Sequence, residues 1–183
     1  MNKTIETNLQ NLWSDDRELQ NKAFTYILEA TDKSVDWAYE AWDELIKNLS
    51  DQDNHNRAIA AQVLCNLAKS DSKDRMLKDF PVLLAITKDE RFVTARHCMQ
   101  ALWKVGIVGE KQKKIYIDGL ANRFKECIKE KNCTLIRYDI LQSFRNVYDA
   151  VKDEIIREKG LELIETEIDL KYQKKYRTLW KSK

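Results

Sequence analysis

Glycine and proline are nearly missing from this chain, with four glycines and one proline in 183 residues. Hairpins and tight turns depend on those residues, so their scarcity excludes a strand-rich fold. Long helices joined by short polar loops are expected instead. Histidine is as sparse, with only His55 and His97. Neither has a cysteine or carboxylate at i+3 or i+4, and a zinc site needs several convergent ligands. The four cysteines, Cys65, Cys98, Cys127 and Cys133, show no CxxC or CxH spacing. There is no run of 18 apolar residues, and "MNKTIETNLQ" lacks the apolar stretch of a signal peptide. From these absences we expect a cytoplasmic protein with four free thiols, no metal, no cofactor and no membrane contact.

What is present is a balanced, strongly charged composition. Hydrophobic residues make up 43% and charged residues 34% of the chain, enough for one folded domain with its own core. The net charge of +2 conceals an asymmetry. Residues 170–183, "LKYQKKYRTLWKSK", hold six Lys or Arg and no acid, leaving a body with 26 bases and 30 acids. A nucleic-acid binder ordinarily carries a basic stripe along its main surface. This body is acidic.

One helix is written four times. Residues 19–31 ("LQNKAFTYILEAT"), 56–68 ("NRAIAAQVLCNLA"), 94–106 ("TARHCMQALWKVG") and 136–148 ("IRYDILQSFRNVY") align with Gln20, Arg57, Ala95 and Arg137 in one column. Three residues on stand Ala23, Ala60, Cys98 and Ile140; seven on, Ile27, Leu64, Leu102 and Phe144; ten on, Ala30, Leu67, Val105 and Val147. Offsets of 3, 7 and 10 fall on one face of an α-helix, so these columns predict the core. Second helices lie between the copies. "SVDWAYEAWDELIKNL" places Ala38, Ala41, Trp42, Leu45 and Leu49 on one stripe behind Ser34 as N-cap. Others are expected over 74–89, where Pro81 starts or kinks the helix, over 110–131, and over 151–168 with Gly160 as a weak point.

The second and third copies carry more than spacing. Arg57, Ala60, Ala61, Leu64 and Leu67, then Pro81, Leu83, Leu84, Ile86 and Asp89, then Val93, Ala101, Leu102, Val105 and Gly106 follow D-x-x-V-R-x-x-A-A-x-A-L-x-x-L-G and P-x-L-L-x-x-L-x-D. Arg96 sits one place late in that pattern, and the first and fourth copies match only in hydrophobic spacing. The chain therefore resembles the HEAT-repeat family of α-solenoids over about residues 10 to 170. The resemblance implies an all-α, right-handed superhelix of about four helix pairs, roughly 10–49, 50–87, 88–130 and 132–168. Residues 169–183 would form a basic capping helix, because Ile168, Tyr172, Tyr176 and Trp180 share one stripe. Binding of polyanions is the competing reading of that tail.

Several stretches look like chemistry. Arg96, His97 and Cys98 stand together, but helical neighbours point about 100° apart and do not face each other. Cys98 also holds a core column, which reads as a buried thiol. "SDQDNHN" at 50–56 hints at a calcium loop but lacks its glycine and terminal glutamate, so an inter-repeat turn capping the next helix is expected. The family implies a partner face on the second helices. There the exposed residues alternate in sign: acidic over 35–48 (Asp36, Glu40, Asp43, Glu44) and basic over 110–131, with seven bases against four acids. Mixed sign favours a protein or peptide partner, with Trp37 and Tyr39 as exposed anchors and Lys114, Arg123 and Lys125 as charged contacts. The expectation is a non-enzymatic interaction module. The alternative is a nucleic-acid-binding protein, since one family of alkylpurine DNA glycosylases is built from HEAT-like repeats. Asp36, Trp37, Asp43 and Arg123 supply the residue types such a site would need, without a matching motif.

Overall fold

The computed structural model describes residues 1–181. Among them the chain forms eleven α-helices and four short 3₁₀ turns, with no strand. It divides into two compact units, Met1–Ala101 and Leu102–Lys183.

The first unit holds α1 (Lys3–Asn11), α2 (Arg17–Ala30), α3 (Ala38–Asn48), α4 (Asn54–Leu67), α5 (Arg75–Ala85) and α6 (Phe92–Ala101). Helices α2, α4 and α6 pack side by side, while α1 lies against α2, and α3 against α4 and α5. Short polar turns end in aspartates that start the helices. Asp16 accepts from the Glu18 and Leu19 amides, and Asp53 accepts from the His55 amide. Each aspartate satisfies an otherwise orphan donor at a helix start. Asp53 is the cap that the 50–56 turn was expected to provide.

The second unit holds α7 (Trp103–Gly106), α8 (Glu110–Glu126), α9 (Cys133–Val151), α10 (Glu154–Glu165) and α11 (Leu170–Arg177). Helix α7 packs on α8 and α9, α9 packs on α8, α10 and α11, and α10 also touches α11. Asp153 and Asp169 cap α10 and α11 through the Ile155 and Lys171 amides. Two glycines permit close approach. A Cβ on Gly106 would stand 2.9 Å from the Tyr116 ring and 3.0 Å from Val147. One on Gly160 would stand 2.5 Å from the Trp180 ring. Gly160 is therefore a packing requirement of the C-terminal segment rather than a weak point of α10.

The aligned columns supply much of the core of both units, although Ala30 in the last column is only half-buried. Ala23, Ala60, Cys98 and Ile140 are fully buried, as are Ile27, Leu64, Leu102 and Phe144. Each of the larger aliphatic or aromatic side chains contributes about 1.5–3 kcal/mol by leaving water. The polar column recurs as well. Arg57 makes a two-pronged bond to Asp89, 2.6 and 2.8 Å, and Arg137 bonds Glu167 at 2.7 Å. In both cases an arginine of one copy reaches an acid about 30 residues on, across the following helix.

Five local expectations change. Ser34 does not cap α3: its hydroxyl donates to the Lys69 carbonyl while Ser70 accepts from the Val35 amide, so residues 34 and 35 are tied to the 68–70 turn. The third copy is not one helix, because the chain leaves α6 after Ala101 and resumes as α7. Helix α5 begins at Arg75 and includes Pro81, so of the two expected roles, starting the helix is ruled out. Helix α8 stops at Glu126, followed by a 3₁₀ turn over Cys127–Lys129. That turn brings the Cα atoms of Cys127 and Cys133 within 5.1 Å, and the two are joined as a disulfide. Only Cys65 and Cys98, both buried, stay thiols, correcting the expectation of four. The tail forms α11 and a 3₁₀ turn over Thr178–Trp180, and its last residues, Ser182 and Lys183, lie outside the described residues.

Candidate functional site

The adjacent arginine, histidine and cysteine on α6 do not converge. Cys98 is fully buried and its thiol donates to the Leu83 carbonyl at 3.5 Å. Burial pushes that thiol well above its ordinary range, so it stays protonated at neutral pH and is no nucleophile. His97, next to it in sequence, is exposed on another face. Among the described residues, no group of three or more His, Cys, Asp or Glu could hold a metal ion. No helix there is long and apolar enough to cross a membrane.

The expected anchors are committed to the fold. Trp37 is 4% exposed. The Tyr39 hydroxyl donates to Asp71 at 2.6 Å and accepts from the Lys73 amide at 2.7 Å, with the Lys73 ammonium 4.7 Å above its ring. Burial and the bond to Asp71 raise the Tyr39 hydroxyl above its ordinary range. Neither aromatic is an exposed anchor: Trp37 is buried, and Tyr39 joins α3 to the turn that follows α4. Arg123 is 2% exposed and grips Glu130 with two bonds of 2.6 and 2.7 Å, so it is withdrawn from the basic face of α8. Lys114 is 77% exposed and 3.1 Å from Asp118, one turn on. Lys125 is exposed. Of the five residues, only the two lysines present themselves to solvent.

The structure instead opens a shallow groove of about 220 Å³ across α2, α4 and α6. Helix α2 supplies Gln20, Asn21 and Phe24; α4 supplies Asn54, His55, Ala58, Ile59 and Gln62; α6 supplies Val93, Thr94 and His97. Phe24, Ala58, Ile59 and Val93 give it apolar surface, and amides, one hydroxyl and both imidazoles of the chain give the polar remainder, of which Gln20 and Thr94 are buried. No lining residue is Asp, Glu, Lys or Arg, although such residues make up 34% of the sequence. Internal bonds fix much of the edge. Gln20 donates to the Leu12 carbonyl and to Asn56, both at 2.8 Å, and Gln62 donates to the Ala58 carbonyl at 3.1 Å. His55 lies 3.0 Å from Asp53, which also meets Arg17 at 2.5 Å. Burial pushes the Asp53 carboxyl up, but the bonds from Arg17 and from His55 outweigh it and hold it at about 2.

The lining was missed because core columns, not the residues flanking them, guided the reading. Counted from Gln20, Arg57 and Ala95, the flanking positions −2, +1, +2 and +5 include His55, Val93, Asn21, Ala58, Ile59, His97 and Gln62, but also Glu18, Lys22, Thr25, Arg96 and Gln100, which do not line the groove. The repeat alignment therefore held only part of the signal. A second, smaller depression lies between α1 and α3, where Glu6, Glu40 and Glu44 edge an apolar floor of Leu9, Ala41 and Leu45.

No protein-family model matches the sequence, and no curated protein does. Among solved structures, the chain is similar to an engineered protein crystallised by the Northeast Structural Genomics Consortium, with 20% identity and a TM-score of 0.59. The match covers 98% of this chain and 78% of that one. A second engineered protein from the same consortium matches at 19% identity and a TM-score of 0.52, covering 98% of this chain and 47% of the other. At these identities the likeness speaks to the all-helical fold alone.

Proposed function

We propose that this chain is a non-enzymatic, HEAT-like interaction module, a right-handed solenoid of about four helix pairs acting on a protein or peptide partner. The observation that supports it is the use of one helix register four times. The register buries most of the same columns, and in the second and fourth copies an arginine of the first column bridges to an acid about 30 residues on, while positions beside the columns stay open as a groove across three helices. Stacked copies of one helix pair build extended surfaces without a deep polar cavity, which suits docking rather than chemistry. Lys114 and Lys125 remain as charged contacts of α8; Trp37, Tyr39 and Arg123 serve the fold. Tyr176, buried with its hydroxyl on the Thr134 carbonyl at 3.0 Å, favours a docked cap over an open polyanion arm.

The competing assignment, binding or repair of DNA, loses two of its four residues to burial, Trp37 and Arg123. The two are separated by experiment. Selection of a phage-displayed random peptide library on the purified chain should enrich defined sequences, and a labelled DNA duplex should show no anisotropy change. Micromolar, salt-steep duplex binding without peptide enrichment would overturn the proposal.

A further inference from the structure

We infer that the groove across α2, α4 and α6 docks an extended, uncharged peptide segment that inserts one bulky apolar side chain between Phe24 and Val93, over Ala58 and Ile59. This deepens the interaction-module reading and rests on it. Charge selects the class of partner. A charged side chain entering this groove would lose hydration with no fixed opposite charge among the lining residues to offset the loss. An apolar one loses nothing of that kind and covers exposed carbon, including Val93, which is 57% exposed.

Size selects the mode. The groove's 220 Å³ is below the roughly 300–1,000 Å³ of sites that enclose a whole small molecule, so it takes a side chain rather than a metabolite. Packed helices stand about 8–10 Å apart, so the path from α2 over α4 to α6 spans roughly 16–20 Å. An extended chain covers that distance in about five or six residues. Its main-chain groups then pass the amide edge, where Gln62 and its neighbours can both donate and accept.

The test uses the phage-selected peptides and two variants. Ala58→Phe fills the floor. Val93→Glu places a carboxylate at the groove edge, in the first turn of α6, where a negative charge suits the helix end and the fold is preserved. Enriched peptides should be neutral and carry a Leu, Ile, Phe or Trp, and each variant should weaken their binding about tenfold or more with unchanged circular dichroism. If Ala58→Phe fails to fold, the exposed Val93→Glu decides alone. Enriched peptides that bind both folded variants as well as the parent overturn the groove but leave the interaction-module reading standing. Highly charged consensus sequences do the same. No enrichment at all removes both.

Discussion

The two units solve the same packing problem with opposite surfaces. Met1–Ala101 holds thirteen Lys or Arg against seventeen Asp or Glu, whereas Leu102–Lys183 holds nineteen against thirteen. Their cores are interchangeable in kind: aligned small and aliphatic columns, each with a partly buried arginine gripping an acid. Their reinforcement differs. The first unit has buried thiols and an uncharged groove. The second has a disulfide, two glycine contacts and an aromatic cluster in which Tyr148 and Trp180 lie 5.8 Å apart with Arg145 over both rings. A repeat register therefore constrains what is buried and leaves surface chemistry to vary, so charge summed over the whole chain, +2, describes neither unit.

The sharpest way to break this comparison is to remove the equivalent acids. Asp89→Ala and Glu167→Ala each leave an arginine with its bridge cut, and each should cost about 3–5 kcal/mol in urea unfolding. Unequal losses would show that the two bridges are alike in geometry only. Next come two features private to the second unit. Replacing Cys127 and Cys133 by serine should cost about 2 kcal/mol, since the closed loop is short. Gly160→Ala should cost about 1–3 kcal/mol through overpacking against Trp180, although alanine is the better helix former. Stabilisation by Gly160→Ala would mean that the indole is not seated there.

The smallest effect concerns Asp53 in the first unit. Its folded value of about 2 lies below the ordinary 3.8, so its stabilisation is complete above the ordinary value and fades as pH falls toward about 2. Asp53→Asn keeps the cap but loses the charge. The gap between parent and variant in urea midpoint should therefore be open at about pH 6 and close at about pH 2.

Much of the fold was legible in the sequence because helical periodicity records burial directly. The column alone marks Cys98 as a core residue and the stripe marks Tyr176, although Ile168 at the head of that stripe is 85% exposed. What escaped was set by tertiary partners. Helix α1 was not anticipated, although Asn2 caps it through the Ile5 amide and Ile5, Leu9 and Leu12 keep helical spacing. Ser34 had the right type for a cap but was claimed by the turn at Lys69. Trp37 looks exposed because it lies off the Ala38–Leu49 stripe and Arg123 because it is charged, yet their burial depends on packing and, for Arg123, on Glu130 seven residues away. The Cys127–Cys133 bond depends on a 3₁₀ turn that spacing rules for metal or redox motifs do not describe. The groove lies at positions defined only as not core, and its distinction, freedom from charge across three helices, emerges when the helices are set side by side.

The most direct test of the central claim is the salt dependence of peptide binding. The dissociation constant of a groove-selected peptide for the parent chain is measured as salt rises from about 50 to about 500 mM. Docking in an uncharged groove predicts a constant that stays level or tightens slightly as salt favours apolar burial. Affinity that falls steeply with salt would contradict it and return the binding site to the charged faces of the helices.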